Sequence, residues 1–179
     1  MRRLLILSSA FIISACTSLA PVREANETVN FNMDARFAVK YMEDDKDKSL
    51  TGKMQWEETR RATDIILATP IGTSMASLHV TRNEAVLKTA NGDMFSEKTP
   101  EELLNRMLGY ELPLSYLRQA VGSANTPLLE SRNYDVWNIK VLSRFKNPNL
   151  AQKLLITRQK PTPVTMTLMI DERSDAPNE

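Results

Sequence analysis

The chain has few of the side chains that make covalent cross-links or bind transition metals. Its 179 residues contain one cysteine, Cys16, and one histidine, His79. A single cysteine can form no disulfide within the chain, and a single histidine lacks the companion ligands of a usual zinc site. No nucleophile motif accompanies His79, so no Ser-His-Asp or Cys-His catalytic set is expected. The composition therefore predicts no metal site and no enzyme, and stability must come from packing.

The chain also lacks an excess of one charge. Lys and Arg number 23, Asp and Glu number 22, and the formal net charge is +1. Such a balance predicts neither a nucleic-acid surface nor a polybasic membrane patch. No glycine-rich phosphate loop is present, and the acidic stretch 44–48 lacks the glycine and distal glutamate of a calcium loop. We expect no cofactor.

The N-terminus has the organisation of a secretory signal. Two arginines precede an apolar run over residues 4–13, which ends at Ser14-Ala15-Cys16. The run is shorter than the roughly 20 residues that a transmembrane helix needs. A cysteine at the cleavage position is typical of the bacterial lipobox, so we predict a lipoprotein signal peptide over residues 1–15 and lipid attachment at Cys16. A transmembrane segment and a plain secretory signal are the alternatives. Residues 16–30 are predicted to be an acylated tether.

Alternation of apolar and polar residues begins at Phe31 and predicts a long β-strand to Tyr41. A charged turn over residues 42–48 precedes the second strand, in which Gly52 falls on the apolar face and permits a bend or close approach. Asn91-Gly92 predicts a two-residue type I′ turn. Short polar links favour antiparallel neighbours. Strands two to six are predicted over residues 50–57, 63–68, 74–81, 84–89 and 93–96.

The pattern then changes to helical. Thr99 to Glu102 has an N-cap, a first-turn proline and a capping-box glutamate, and Gly109 ends this helix. A second helix begins at Pro113 and ends at Gly122. A loop is predicted over residues 123–133. The predicted remainder consists of strands over residues 134–142, 153–158 and 164–170, which complete a domain over residues 31–171, and a polar tail over residues 172–179.

These elements predict an α+β fold with one curved antiparallel sheet. About nine to eleven strands must curl into an incomplete β-barrel to bury one apolar face, with the short helices lying across it. If the helices cover that face loosely, an apolar cavity remains; if they fill it, the same residues are ordinary core and the protein acts only through protein contacts. The candidate cavity residues are Met33, Phe37, Met54, Trp56, Leu67, Leu78, Leu104, Leu108, Leu117, Trp137, Met166 and Leu168.

One apolar residue stands where turns are usually polar. Ile71 lies between Pro70 and Gly72 in the loop after the third strand. The residues alone leave two alternatives: Ile71 folds back over the end of the sheet, or it projects and touches a lipid or a partner.

Several short motifs, taken in order and spacing, resemble the LolB family of outer-membrane lipoprotein receptors in Gram-negative bacteria. The resemblance runs from the lipobox to near Ile170. The chain departs from the family pattern at Ala120, where the family often has Trp, and no Trp follows Ile170. Residues 143–163 also match poorly. The motifs are Ala35-Arg36-Phe37-Ala38-Val39, Gly52-Lys53-Met54-Gln55-Trp56, Pro70-Ile71-Gly72, Leu103-Leu104, Leu108-Gly109-Tyr110, Leu112-Pro113-Leu114, Leu117-Arg118-Gln119 and Trp137-Asn138-Ile139.

The resemblance implies an incomplete barrel with a helical lid over an apolar acyl-binding cavity. It implies a monomeric receptor that accepts acylated lipoproteins from the periplasmic carrier LolA and inserts them into the outer membrane. In that family an apolar residue of the loop matching Pro70-Ile71-Gly72 protrudes and serves insertion, and here that residue is Ile71. Thr17, rather than Asp, follows Cys16 and favours an anchor in the outer membrane, on its periplasmic face.

Overall fold

The computed structural model describes residues 27–109 and 111–175. The predicted signal peptide, Cys16 and most of the predicted tether lie outside these residues. The elements in chain order are β1 (Phe31–Glu43), β2 (Lys46–Glu58), β3 (Ala62–Ala68), β4 (Ser74–Thr81), β5 (Ala85–Thr89), β6 (Met94–Glu97), α1 (Pro100–Leu108), α2 (Leu114–Val121), β7 (Ser131–Tyr134), β8 (Trp137–Arg144), β9 (Ala151–Arg158) and β10 (Val164–Asp175).

The described strands form one open antiparallel sheet. Its ten strands lie in the order β6-β5-β4-β3-β2-β1-β10-β9-β8-β7. The first six strands extend the sheet to one side of β1, and β10 returns to pair with β1 on the other side, with Tyr41 opposite Val164. The predicted fold class, a single antiparallel sheet with short helices, is confirmed.

The sheet buries one face. In the first half of β1, Phe31, Met33 and Ala35 are buried and the residues between them are exposed, as the alternation predicts. The two helices cover that face at its two sides, with α1 against β5 and β6 and α2 against β8 and β9. Leu103 of α1 and Leu117 of α2 join the same core as β1. Each large apolar side chain buried in this way stabilises the fold by about 1.5–3 kcal/mol.

Both helices begin and end where their sequences predict. The backbone N–H of Glu102 donates to the Thr99 hydroxyl at 3.1 Å, and Pro100 occupies the first turn of α1. The N–H of Gly109, with a φ of 74°, donates to the Asn105 carbonyl and ends the helix. Helix α2 follows Pro113 and ends at Gly122.

Two turn predictions are wrong. The turn predicted over residues 42–48 is only two residues long, since β1 and β2 pair as far as Glu43 and Lys46. Asp44 and Asp45 have φ values of 50° and 56°, which short polar side chains tolerate. Asn91-Gly92 does not form the predicted type I′ turn. The Gly92 N–H donates to the Thr89 carbonyl at 3.0 Å, which belongs to a three-residue loop with one left-handed residue.

The predicted loop over residues 123–133 and the predicted tail also contain strand. Ser131–Tyr134 forms the edge strand β7 against β8. Its polar sequence lacks the alternation that identifies a strand with one buried face. At the other end of the chain, β10 continues to Asp175, which pairs with Phe31. The register with β1 shifts between Asp34 and Ala35, where Asp171 of β10 is the extra residue, and this bulge disturbs the alternation of the charged extension.

Candidate functional site

A hairpin tip closed by its own hydrogen bonds carries Ile71. In the loop between β3 and β4, the Thr69 N–H donates to the Thr73 carbonyl at 2.8 Å and the Gly72 N–H donates to the Thr69 carbonyl at 2.9 Å. The Thr73 N–H also donates to the Thr69 hydroxyl at 3.0 Å. Gly72 has a φ of 96°, so the loop is a type I turn followed by one left-handed residue. Pro70 occupies the turn position that its fixed φ suits.

The side chain of Ile71 projects into solvent. It is 90% exposed, whereas Met94, the next most exposed of the large apolar residues that the structure describes, is 67% exposed. The alternative in which Ile71 packs back over the sheet is therefore wrong. Leaving an isoleucine in water forgoes roughly 1.5–3 kcal/mol of possible burial energy. No packing role in the fold accounts for this residue.

The Ile71 hairpin lies at the opposite end of the sheet from the start of β1. In the register, Ala68 pairs with Lys53 and Lys53 pairs with Arg36, which is five residues past Phe31. At about 3.4 Å per residue, the root of the hairpin is about 17 Å along the strands from the point where the chain enters the domain. Val136, 43% exposed, lies in the β7–β8 turn at the same end as Ile71.

The predicted cavity residues lie mostly on the buried face. Leu67 and Leu104 are half-buried and pack against the core, and Leu108 lies on the outer side of α1, 48% exposed. Whether the others line a space for acyl chains stays a prediction. The buried members are Met33, Phe37, Met54, Trp56, Leu78, Leu117, Trp137, Met166 and Leu168.

Helix α2 is held to the sheet by polar contacts that the sequence did not identify. The Arg118 guanidinium lies 3.7 Å from the Phe31 ring centroid and its Nε donates to Glu58 Oε2 at 2.9 Å. Arg173 approaches the same ring and donates to the Val121 carbonyl at 2.9 Å, which fixes the C-terminus of α2. These residues are far apart in sequence. Only Arg118 belongs to a motif that the sequence analysis identified, Leu117-Arg118-Gln119.

The link between the helices is also tied to the sheet. The Trp137 indole Nε1 donates to the Glu111 carbonyl at 2.8 Å, and Tyr116 of α2 stacks on Tyr134 of β7 with ring centroids 3.9 Å apart. Helix α1 is linked to β6 by an exposed ion pair, in which Arg106 donates to Glu97 at 2.8 Å. Both helices therefore lie on the same face of the sheet, near its two edges. An ion pair links α1 to its edge, whereas cation–π contacts, hydrogen bonds and ring stacking link α2 to the other.

Ionisable groups outside the buried face form surface pairs. His79 Nδ1 lies 2.7 Å from Asp64 Oδ1 on the solvent side of β3 and β4. Arg36 donates to Asp171, and this hydrogen bond raises the pKa of the guanidinium above its ordinary value. Among the described residues, no three His, Cys, Asp or Glu side chains are grouped to hold a metal ion.

Gly52 lies where the sequence predicts a close approach. It pairs with Phe37, and a Cβ placed on Gly52 would overlap the Ala68 carbonyl oxygen and lie 2.7 Å from Phe37 Cζ. Only a residue without a side chain fits this point of β2. The sequence predicted the approach but gave no sign that its partner would be Ala68, at the root of the Ile71 hairpin.

Comparison with known proteins matches residues 29–172 to the family described as outer membrane lipoprotein LolB. The chain belongs to the LolB family. It is accordingly a LolB-type outer-membrane lipoprotein. No helix in the described part of the chain is both long and apolar enough to cross a bilayer.

Curated relatives carry the same name. The chain is 25% identical over 191 residues to the outer-membrane lipoprotein LolB of Cupriavidus pinatubonensis, covering 94% of this chain and 92% of that protein. It is 25% identical over 116 residues to LolB of Dechloromonas aromatica, covering 63% of this chain and 61% of that one. A solved LolA superfamily protein from Nitrosomonas europaea has a TM-score of 0.44 and 4% identity, with 83% of this chain and 87% of that chain covered.

Proposed function

We propose that the protein is a receptor on the periplasmic face of the outer membrane that accepts acylated lipoproteins from a LolA-type carrier and inserts them into the bilayer. Membership of the LolB family supports this role. The observation that carries it is the 90% exposure of Ile71 on a closed hairpin tip. An apolar side chain held rigidly away from the core can enter the hydrocarbon of a membrane without any change in the fold.

The buried face of the sheet is the proposed acyl-binding surface. A lipoprotein with several acyl chains does not cross water unaided, because each buried CH₂ contributes roughly 0.8 kcal/mol. A receptor that binds these chains more favourably than the carrier, and less favourably than the bilayer, moves them without nucleotide hydrolysis. No catalytic step is proposed.

The proposed lipid anchor at Cys16 determines where delivery happens. The 15-residue segment from Cys16 to Asn30 can span at most about 50 Å when extended. This reach exceeds the roughly 17 Å that separates the hairpin root from the start of β1 along the strands. The tether therefore permits Ile71 to reach the membrane that carries the anchor.

The decisive test replaces Ile71 with glutamate. We expect Ile71→Glu to fold, because a fully exposed surface position usually changes stability by no more than about 0.5 kcal/mol. It should still receive a purified lipoprotein from its carrier but should insert it into liposomes at least about tenfold more slowly, since a charge replaces an apolar group. Asn91→Glu, at the corresponding tip of the neighbouring hairpin, is the matched control. Insertion by Ile71→Glu at the wild-type rate would contradict the proposal.

A second candidate is a structural lipoprotein that acts only through protein contacts. It is favoured by how completely the helices and sheet bury residues such as Leu103, Leu154 and Leu168, each 0% exposed. A fluorescent acyl probe distinguishes the two. Saturable binding at micromolar concentration supports the receptor, and competition by a lipoprotein for the same site would confirm it. The lack of any saturable binding would favour the structural candidate.

A further inference from the structure

The root of the Ile71 hairpin, at Ala68, packs directly against the backbone of Gly52. Gly52 is buried in β2, paired with Phe37 of β1, and lies on the same face as Met54 and Trp56. A Cβ at Gly52 would overlap the Ala68 carbonyl oxygen and would lie 2.7 and 2.9 Å from two carbons of the Phe37 ring. Contacts this short do not occur for real Cβ atoms, so the three groups meet only because Gly52 has no side chain.

The position of the Ala68 carbonyl shows how the hairpin leaves the sheet. Ala68 is paired with Lys53, the residue after Gly52, and a regular ladder would keep its carbonyl in the plane of the sheet. The oxygen instead lies over Gly52 on the buried face. The register with β4 shifts between Leu67 and Ala68, because Met75 of β4 is an extra, unpaired residue, and this bulge interrupts the β3–β4 pairing opposite Ala68. The hairpin therefore turns toward the buried face immediately before Thr69.

The Phe37 ring completes the contact from the other side. Phe37 is 6% exposed and its ring edge fills the space that a side chain at residue 52 would occupy. Ala68, which contacts the same glycine, is the last residue of β3. The loop that follows it, Thr69–Thr73, is closed by its own hydrogen bonds and carries Ile71. A shift of Ala68 therefore moves Ile71, because the closed loop transmits the displacement.

We propose that Gly52 is a positioning residue for insertion. The absence of its side chain allows Ala68 and Phe37 to hold the hairpin toward the buried face, so that Ile71 stands at the rim of the surface from which acyl chains depart. This inference rests on the proposed role of Ile71 in insertion. It assigns a function in aiming Ile71 to a buried residue that acts through Ala68 and Phe37. Functional groups need this kind of support, because small displacements of a site abolish its action.

The test measures where Ile71 lies. The full chain is placed in lipid nanodiscs containing a nitroxide-labelled phospholipid, and the methyl NMR signal of Ile71 is followed. In the wild type we expect strong broadening of the Ile71 methyl. In Gly52→Ala we expect at least twofold less broadening, and about tenfold slower insertion into liposomes of lipoprotein already bound to the receptor. A folded Gly52→Ala protein with wild-type broadening and wild-type insertion would overturn the proposal.

A matched glycine at the other end of the sheet controls for loss of stability. A Cβ on Gly122 would overlap the Asn149 carbonyl oxygen in the same way. Gly122→Ala should lower the Tm at least as much as Gly52→Ala and leave the Ile71 broadening unchanged. Equal loss of broadening in both variants would assign the effect to general destabilisation and overturn the proposal.

Two further measurements keep the inference testable. If Gly52→Ala does not fold, Phe37→Leu retains Gly52 and removes the ring edge; it should reduce the broadening of Ile71, and unchanged broadening would count against the proposal. If the wild-type Ile71 methyl is not broadened by the labelled lipid, the insertion role fails. The positioning role is then judged without lipid, by whether Gly52→Ala moves the Ile71 methyl shift while that of Ile139 stays fixed.

Discussion

Two hairpins at one end of the sheet have the same geometry and different tips. The loops Thr69–Thr73 and Thr89–Asp93 each close with a hydrogen bond from the first N–H to the last carbonyl, at 2.8 and 2.9 Å. In both, a glycine in fourth position has a positive φ, 96° at Gly72 and 90° at Gly92. The two loops therefore have nearly the same backbone conformation, and both need a glycine in fourth position.

The two loops have different residues at their tips. The second loop carries Ala90 and Asn91, and the Ala90 N–H donates to the Met75 carbonyl at 2.9 Å, which ties this loop to β4. The first loop carries Pro70 and Ile71, and proline has no N–H with which to make such a contact. Asparagine is an ordinary turn residue, whereas isoleucine gains nothing from the turn. The comparison shows that this loop geometry accepts a polar residue at its tip, which supports the proposed role of Ile71 in insertion.

The largest expected effect comes from making the tips alike. Ile71→Asn gives the first hairpin the tip residue of the second, and we expect insertion into liposomes to slow by about tenfold or more, because the apolar group worth roughly 1.5–3 kcal/mol is lost. The measurement is the rate at which lipoprotein becomes liposome-bound after loading from the carrier.

The reciprocal change is its control. Adding Asn91→Ile to Ile71→Asn restores an exposed isoleucine at the same turn position one hairpin away. We expect little recovery, because position as well as polarity matters. Recovery to the wild-type rate would show that any apolar tip at this end of the sheet suffices.

A smaller effect is expected from straining each turn. Gly72→Ala and Gly92→Ala each place a Cβ on a residue with positive φ, and neither Cβ would meet another atom within 4 Å. The strain should cost roughly 1–2 kcal/mol in each case, which lowers the Tm by a few degrees in a domain of this size. Thermal unfolding should give similar losses, while only Gly72→Ala slows insertion. Equal slowing by both variants would remove the functional distinction between the hairpins.

Much of the sheet could be predicted because the sequence of β1 alternates regularly between apolar and polar residues. The strict alternation from Phe31 to Phe37 gives both the strand and its buried face. The extension of β10 to Asp175 and the strand β7 could not be predicted in this way, since their residues are mostly polar and show no alternation of apolar and polar side chains. Asn91-Gly92 misled for a different reason: the same dipeptide suits both a two-residue turn and the glycine-ended three-residue loop, and the register of β5 and β6 decides between them.

The candidate site was predictable at one position and not at its support. Ile71 attracts notice because a β-branched residue between Pro70 and Gly72 contradicts turn chemistry. Its direction depends on the closed loop, which no single residue encodes. The contact of Gly52 with Ala68 joins neighbouring strands beside a bulge in the β3–β4 pairing, and a bulge leaves no reliable mark in one sequence.

The smallest expected effect distinguishes the two threonines that open the loops. The Thr69 hydroxyl accepts the Thr73 N–H at 3.0 Å, whereas the Thr89 hydroxyl is buried and has no hydrogen-bond partner among the described residues. Thr69→Val should therefore lose about 0.5–1.5 kcal/mol, and Thr89→Val should be neutral or slightly stabilising, because it removes an unsatisfied polar group. Urea unfolding of the two variants measures the difference. No loss of stability in Thr69→Val would mean that the first loop does not depend on its side-chain hydrogen bond, and that proline and glycine alone hold Ile71 in place.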